Sequence, residues 1–152
     1  MRQGQNEVNT NDGMDVSMLA IHHESKEVRW AGANRPLVMV KHDSTFDRLE
    51  GNKFPVGGVQ SDVNRVFTTQ TVIAQEPTMV YMFSDGFADQ FGGEKGKKFM
   101  VKRLHETLCS IHLLSAEEQR KELDKQFENW RGAHEQVDDV LVVGIEIYYE
   151  EN

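Results

Sequence analysis

Cysteine occurs once, at position 109, so the chain can form no intrachain disulfide and no cysteine-based zinc site. Cys109 lies in a helical pattern and suits a small core residue. Long apolar runs are missing. None approaches membrane-spanning length, and Met1-Arg2-Gln3-Gly4-Gln5-Asn6 lacks the apolar core of a signal peptide. These absences lead us to expect a soluble, cytoplasmic chain, suited to reducing conditions, with no membrane segment. Positive charge is scarce: 17 Lys and Arg face 25 Asp and Glu, for a net charge of −8 at pH 7. That balance argues against a protein that grips nucleic-acid phosphates. The six histidines are scattered and show no His-Glu-x-x-His spacing, so each reads as surface or satisfied structure rather than as a ligand. No Gly-x-Ser-x-Gly elbow supports a serine hydrolase. Gly92–Lys98 is rich in glycine and lysine, but no Gly-Lys-Ser/Thr completes a phosphate loop. It reads as a flexible surface loop whose basic residues can approach a phosphorylated partner. Asn9, Asn11 and Asp12 faintly resemble a calcium loop, yet setting Gly13 at its sixth position puts Val8 at its first, which excludes it. There is no internal repeat and no low-complexity tract.

What is present suits one α+β domain of 152 residues, with residues 1–13 a loop or frayed end and 149–152 an acidic tail. Asp15 to His22 is a strand candidate with apolar residues on both faces (Val16, Met18 and Ala20 against Leu19 and Ile21), which predicts cover on both sides. Val28–Ala33 follows as a second strand, with Ala31-Gly32-Ala33-Asn34 a tight exit that permits close backbone approach. Leu37–Lys41 is a third. His42–Lys53 predicts an edge hairpin anchored by Phe46 and Leu49, and Pro55-Val56-Gly57-Gly58 a turn. Val66–Ile73 is strongly β-prone, and Met79–Ser84 is a central strand. One helical turn follows at Phe87–Phe91. Val101, Leu104, Leu108 and Ile111 then give one helix an apolar face. A second helix starts at Ser115, whose spacing to Glu118 is a capping box. Its buried stripe is Leu123, Phe127 and Trp130, and Gly132 suits its end. Val140–Ile147 is the most strand-like segment of the chain.

Two stretches carry chemistry. Val80–Asp89 runs apolar and aromatic, then stops at Ser84-Asp85-Gly86: a buried strand that ends by presenting a carboxylate and turning at a glycine. Such a carboxylate is costly unless hydrogen-bonded, paired or bound to a cation. Capping of the next segment is the ordinary alternative. Near the C-terminus, Val137-Asp138-Asp139 sits at the start of the last strand, where the plainer reading is a polar turn. If the two strands are antiparallel neighbours, Asp85 and Asp138 converge on one sheet edge. Two carboxylates placed so close repel and shift each other's pKa, which asks for a hard, oxygen-loving cation such as Mn2+ or Mg2+.

Together these stretches resemble the C-terminal part of a SpoIIE-type metal-dependent serine/threonine phosphatase domain of the PPM, or type 2C, class. The resemblance rests on Asp12-Gly13-Met14-Asp15-Val16, on Trp30-Ala31-Gly32-Ala33-Asn34-Arg35-Pro36-Leu37, on Phe83 to Gly93, and on Trp130-Arg131-Gly132 with Glu135 to Val140. It implies an antiparallel β-sandwich flanked by helices, with a dinuclear Mn2+ or Mg2+ centre at one edge. Asp85 and Asp138 are then catalytic metal ligands, with Gly86 and Asp139 in support. It further implies that a metal-bridging water attacks phosphorus in line, with no phosphoenzyme. The implied substrate is phosphoserine or phosphothreonine on a bacterial signalling protein, of the anti-anti-sigma type.

The family pattern also includes earlier strands and helices that carry an early Asp and an Asp-x-x-Gly-His-Gly segment, and neither occurs here. The expectation is therefore a single partial domain over residues 1–152, part of a larger protein, that by itself binds metal weakly, if at all, and turns over little or nothing. A non-catalytic interaction module, either a pseudophosphatase or a fragment used for binding, is the alternative, and an unrelated acidic α+β binding domain is a third reading. Uncovered sheet edges invite pairing with a second copy. Light scattering over a wide concentration range should accordingly show self-association, and a clean monomer throughout would count against it.

Overall fold

The computed structural model describes residues 13–58 and 65–148, so residues 1–12 of the loop expected over 1–13 and the acidic tail at 149–152 lie outside the described residues, while Gly13 opens a short strand instead. The elements in order are β1 (Gly13–Met14), β2 (Val16–His22), β3 (Glu27–Ala33), β4 (Leu37–Lys41), β5 (Phe46–Leu49), β6 (Val56–Gly57) and β7 (Gln70–Ile73). They continue with β8 (Thr78–Phe83), α1 (Gly86–Asp89), β9 (Phe91–Gly92), β10 (Lys97–Lys98), α2 (Val101–Ile111), α3 (Ala116–Arg131) and β11 (Val142–Ile147). Two antiparallel sheets dominate, a four-stranded one in the order β11-β8-β4-β5 and a three-stranded one in the order β2-β3-β7.

The apolar runs in β4 and β8 are explained by burial on both faces. Leu37 and Met39 on β4 and Val80 on β8 pack between the sheets with Val28, Trp30, Ala74 and Ile147. Their alternates, Val38, Val40, Met79, Tyr81 and Phe83, pack against Phe87, Phe99, Leu104, Leu108 and Phe127 on the helical side. With a side-chain period of two, each strand supplies both layers at once. This is the antiparallel sandwich with flanking helices that the family resemblance implies. Among the described residues no helix is long and apolar enough to cross a membrane.

Four local expectations need correction. β2 is an edge strand covered on one face only: Leu19 and Ile21 pack inward, whereas Met18 is 68% exposed, and Ile73 of β7 on the same sheet is 59% exposed. Residues 65–69 form no strand, because the backbone N–H of Thr68 is taken by the Asn52 side chain at 2.9 Å, and pairing with β3 begins only at Gln70. Val140 and Leu141 precede the last ladder, since the Leu141 N–H goes to the Ser84 hydroxyl. The stretch Gly92–Lys98 is a tight hairpin rather than a loose loop, pairing Gly92 with Lys97 and Phe91 with Lys98.

Both long helices form as their patterns dictate. In α2, Leu104, Leu108 and Ile111 are buried, while Val101 at the first turn is exposed. Ser115 and Glu118 close their reciprocal capping box at the start of α3, and Gly132 ends it with φ +54° and its N–H on Glu128 O at 2.9 Å. Phe127 is buried, and Leu123 and Trp130 are half-buried. Two of the histidines are core residues. His112 places Nδ1 2.8 Å from Cys109 O, and the His105 ring meets Phe46 at a tilt and Phe83 edge-on.

Burial lowers the His105 pKa below its ordinary 6.5, with the Arg48 charge adding to the shift. Below that ordinary value the unfolded chain binds more protons than the folded one. The stabilisation from the neutral ring is thus complete above pH 6.5 and is lost as pH falls through the lowered folded value. Thermal melts from about pH 7.5 down to about 5 should show this slope in the native chain and a flatter one in His105→Leu.

Candidate metal site at the sheet edge

The register of β8 with β11 sets Phe83 opposite Val142, so the C-terminal end of one strand lies beside the N-terminal end of the other. One step beyond the ladder, Ser84 fastens the two exits together. Its backbone N–H donates to Leu141 O at 3.0 Å, its hydroxyl donates to Asp139 O at 2.8 Å, and the same oxygen accepts the Leu141 N–H at 2.9 Å. Gly86 then passes so close that an added Cβ would lie 2.3 Å from Asp139 O and 3.2 Å from Asp138 O. The segments that carry Asp85 and Asp138 therefore meet at one edge of the four-stranded sheet, as the antiparallel argument requires.

Asp85 is at the N-cap position of α1 but makes no side-chain capping hydrogen bond. Its half-exposed carboxylate instead pairs with Arg35, Oδ2 lying 3.2 Å from Nη1. Capping does not consume this group. Asp138 Oδ1 accepts the Asp139 N–H at 2.7 Å, and Asp138 O accepts from the Gln136 side chain at 2.8 Å. The role of Asp139 here is carried by its backbone, through the Ser84 bond and the Gly86 contact.

Gln90 is a structural support of this edge that the sequence reading passed over. It is fully buried. Its Nε2 donates to Phe91 O and to Glu135 O, each at 2.9 Å, and its Oε1 accepts the Val137 N–H at 3.3 Å. Its own carbonyl accepts the Trp130 indole N–H at 3.0 Å and the Phe99 N–H at 2.9 Å. One amide thereby holds the approach to Asp138. The available signal was a lone amide among Phe87, Ala88 and Phe91, since a polar side chain in such company must satisfy its hydrogen bonds internally. Gly92 and Gly93 fasten the same region to α3: a Cβ on Gly92 would lie 1.8 Å from Trp130 O, and Gly93 N–H donates to that oxygen at 2.8 Å.

Oxygen donors of this kind suit Mn2+ or Mg2+. Among the described residues, however, no group of three or more His, Cys, Asp or Glu side chains is placed to hold a metal ion. Asp85 and Asp138 fit such an ion in kind but not in number.

Comparison with known proteins gives this geometry its context. The family model "Stage II sporulation protein E (SpoIIE)" matches residues 3–148. Among solved structures, the SiaA-PP2C domain of Pseudomonas aeruginosa superposes with a TM-score of 0.76 at 23% identity, over 86% of this chain and 50% of that one. The phosphatase domain of the cell fate determinant SpoIIE from Bacillus subtilis gives 0.65 at 12% identity, over 91% of this chain and 60% of that one. A manganese-presoaked form of the same domain gives 0.65 over 58% of its length. No curated protein sequence matches significantly. The fold is that of the PP2C-like phosphatase domains, and the chain spans about half to three-fifths of the domains it matches.

Gly86→Ala should drive its methyl group into the backbone of Asp139. A destabilisation of about 1–3 kcal/mol is expected, read from urea unfolding midpoints, whereas an exposed Gly→Ala change would be neutral or stabilising. With its family model covering nearly the whole sequence, the chain belongs to the SpoIIE family.

Proposed function

We propose that this chain is part of a metal-dependent protein serine/threonine phosphatase. Its substrate class is a phosphoserine or phosphothreonine on a bacterial regulatory protein of the anti-anti-sigma type, met in the cytoplasm. Family membership and the PP2C-like fold support the reaction class. The substrate class rests on the family resemblance. The observation that carries the site is the Ser84 fastening: it brings Asp85, with a carboxylate not spent on capping, to the same edge as Asp138.

In this reading Asp85 and Asp138 hold Mn2+ or Mg2+, with further ligands needed to complete the shell. When bound, such an ion supplies Lewis-acid stabilisation of phosphoryl oxygens. The chain's own residues do the positioning. Ser84 and Gly86 fix the spacing of the two segments, Gln90 and Gln136 hold the backbone before and at Asp138, and Arg35 carries one oxygen of Asp85. Self-association through the half-covered three-stranded sheet and its edges belongs to the same proposal.

Titration with manganese by calorimetry tests the assignment. Weak binding should be lost in both Asp85→Asn and Asp138→Asn, with little turnover of a phosphopeptide by this chain alone. Binding retained in both variants would overturn it, and no binding at all would mean that the chemistry needs ligands from a segment outside these residues.

A further inference from the structure

Met100 opens α2 at a position that suits other residues better. Its backbone has φ +78° and ψ 140°, a region that glycine enters freely and that strains any residue with a Cβ. Its N–H donates to Ala88 O at 2.8 Å and its carbonyl accepts the Leu104 N–H at 3.2 Å, so the conformation is held from both sides. Met100 is also the N-cap, where serine, threonine, asparagine or aspartate would satisfy a free N–H and methionine satisfies none. Two local preferences are overridden at one residue, the pattern expected where a surface serves something other than folding. What the strain holds in place is an apolar side chain 59% exposed to solvent.

Its surroundings point to what it meets. Val101 follows it, Phe91 lies opposite Lys98 in the β9–β10 hairpin, and both are exposed. Residues 92–102 carry Lys95, Lys97, Lys98 and Lys102 against Glu94 alone, in a chain of net charge −8. Lys98 pairs with Asp89 at 2.9 Å and Lys102 with Glu106 at 3.9 Å. The exposed Lys95 and Lys97 have no acidic partner among the described residues. An acidic protein segment with apolar side chains matches both the charge and the exposed Met, Phe and Val. A nucleic-acid backbone matches only the charge and is repelled by the rest of the chain. The patch is tied to the carboxylate edge through α1, which supplies Ala88 to Met100 and Asp89 to Lys98. The Asp89 N–H donates to Asp85 O at 2.9 Å, one helical turn away.

We propose that Met100, Phe91 and Val101, together with Lys95 and Lys97, form a docking surface for an acidic, apolar segment of the phosphoprotein substrate. This rests on the reading of the Asp85 edge as the site of phosphate-ester hydrolysis and names what the substrate presents beside its phosphoserine. The lysines steer the segment in, and the flexible methionine anchors it.

The test is fluorescence anisotropy on the full chain with two short labelled phosphoserine peptides of equal charge, one alternating Glu with Leu and one alternating Glu with Ser. The native chain should bind the Leu peptide more tightly. Met100→Gly should weaken that binding about three- to tenfold, to the level of the Ser peptide, with a urea midpoint at or above the native one because the strain is gone. The double variant Lys95→Glu with Lys97→Glu should weaken both peptides about tenfold or more and flatten the salt dependence. Equal binding of the two peptides by the native chain, or no binding of either, overturns the surface. Unchanged affinity in Met100→Gly, or a clearly lowered midpoint, makes Met100 a structural residue and overturns its role as anchor. Peptide binding needs no metal and no turnover, so it fails separately from the Asp85 reading. Loss of the peptide pattern beside manganese binding that depends on Asp85 sinks the docking surface alone. The pattern intact without such manganese binding keeps the surface and removes its link to hydrolysis.

Discussion

The antiparallel register of β8 against β11 determines where every chemically interesting group falls. It sets Phe83 opposite Val142, so the next residues of each strand must leave the ladder side by side. Ser84 converts that proximity into a fixed spacing, since one hydroxyl serves as donor to Asp139 O and acceptor from Leu141 N–H. A register slip of one residue would turn the two-faced strands inside out as well as parting the carboxylates. The packing of the core and the geometry of the site are therefore enforced by the same hydrogen-bond ladder.

The strands that carry this load are buried on both sides, yet the molecule is not symmetrical. Helices cover the outer face of the four-stranded sheet, with Phe87, Phe99 and Phe127 set edge to face among themselves and Trp130 edge-on to Phe99. The outer face of the three-stranded sheet keeps Met18 and Ile73 in solvent. The carboxylate edge lies where these two unequal halves meet, and the Asp15–Arg35–Asp85 contact is a charged link between them.

Much of this was legible in the sequence. The continuous apolar character of Val38–Val40 and Val80–Phe83 announced strands with two buried faces, and Ser115 with Glu118 announced the start of α3. That the segments carrying Asp85 and Asp138 leave neighbouring strands side by side followed from strand polarity alone. Other features depended on distant partners that no local pattern encodes. Met18 and Ala20 look apolar enough to be covered, but cover depends on what packs against them. Val66 and Phe67 have high strand propensity, but Asn52 takes the Thr68 N–H that a ladder would need. Gln90 and Arg35 were visible as residue types; their roles emerge only when residues 135–137, and Asp15 and Asp85, are brought beside them in space.

The place of β11 in the sheet bears on how the protein is made. β4 and β8 are central strands, whereas β11 is an edge strand and the last of the described elements in chain order. Its partner β8 waits through the synthesis of α1, α2 and α3, and contacts so far apart in sequence form late because the loop between them must first be closed. Until β11 arrives, the edge of β8 has no mate and Asp85 stands without Asp138. The edge that carries both carboxylates is thus completed late among the described elements, and a nascent chain halted before residue 138 would carry Asp85 alone, beside an open strand.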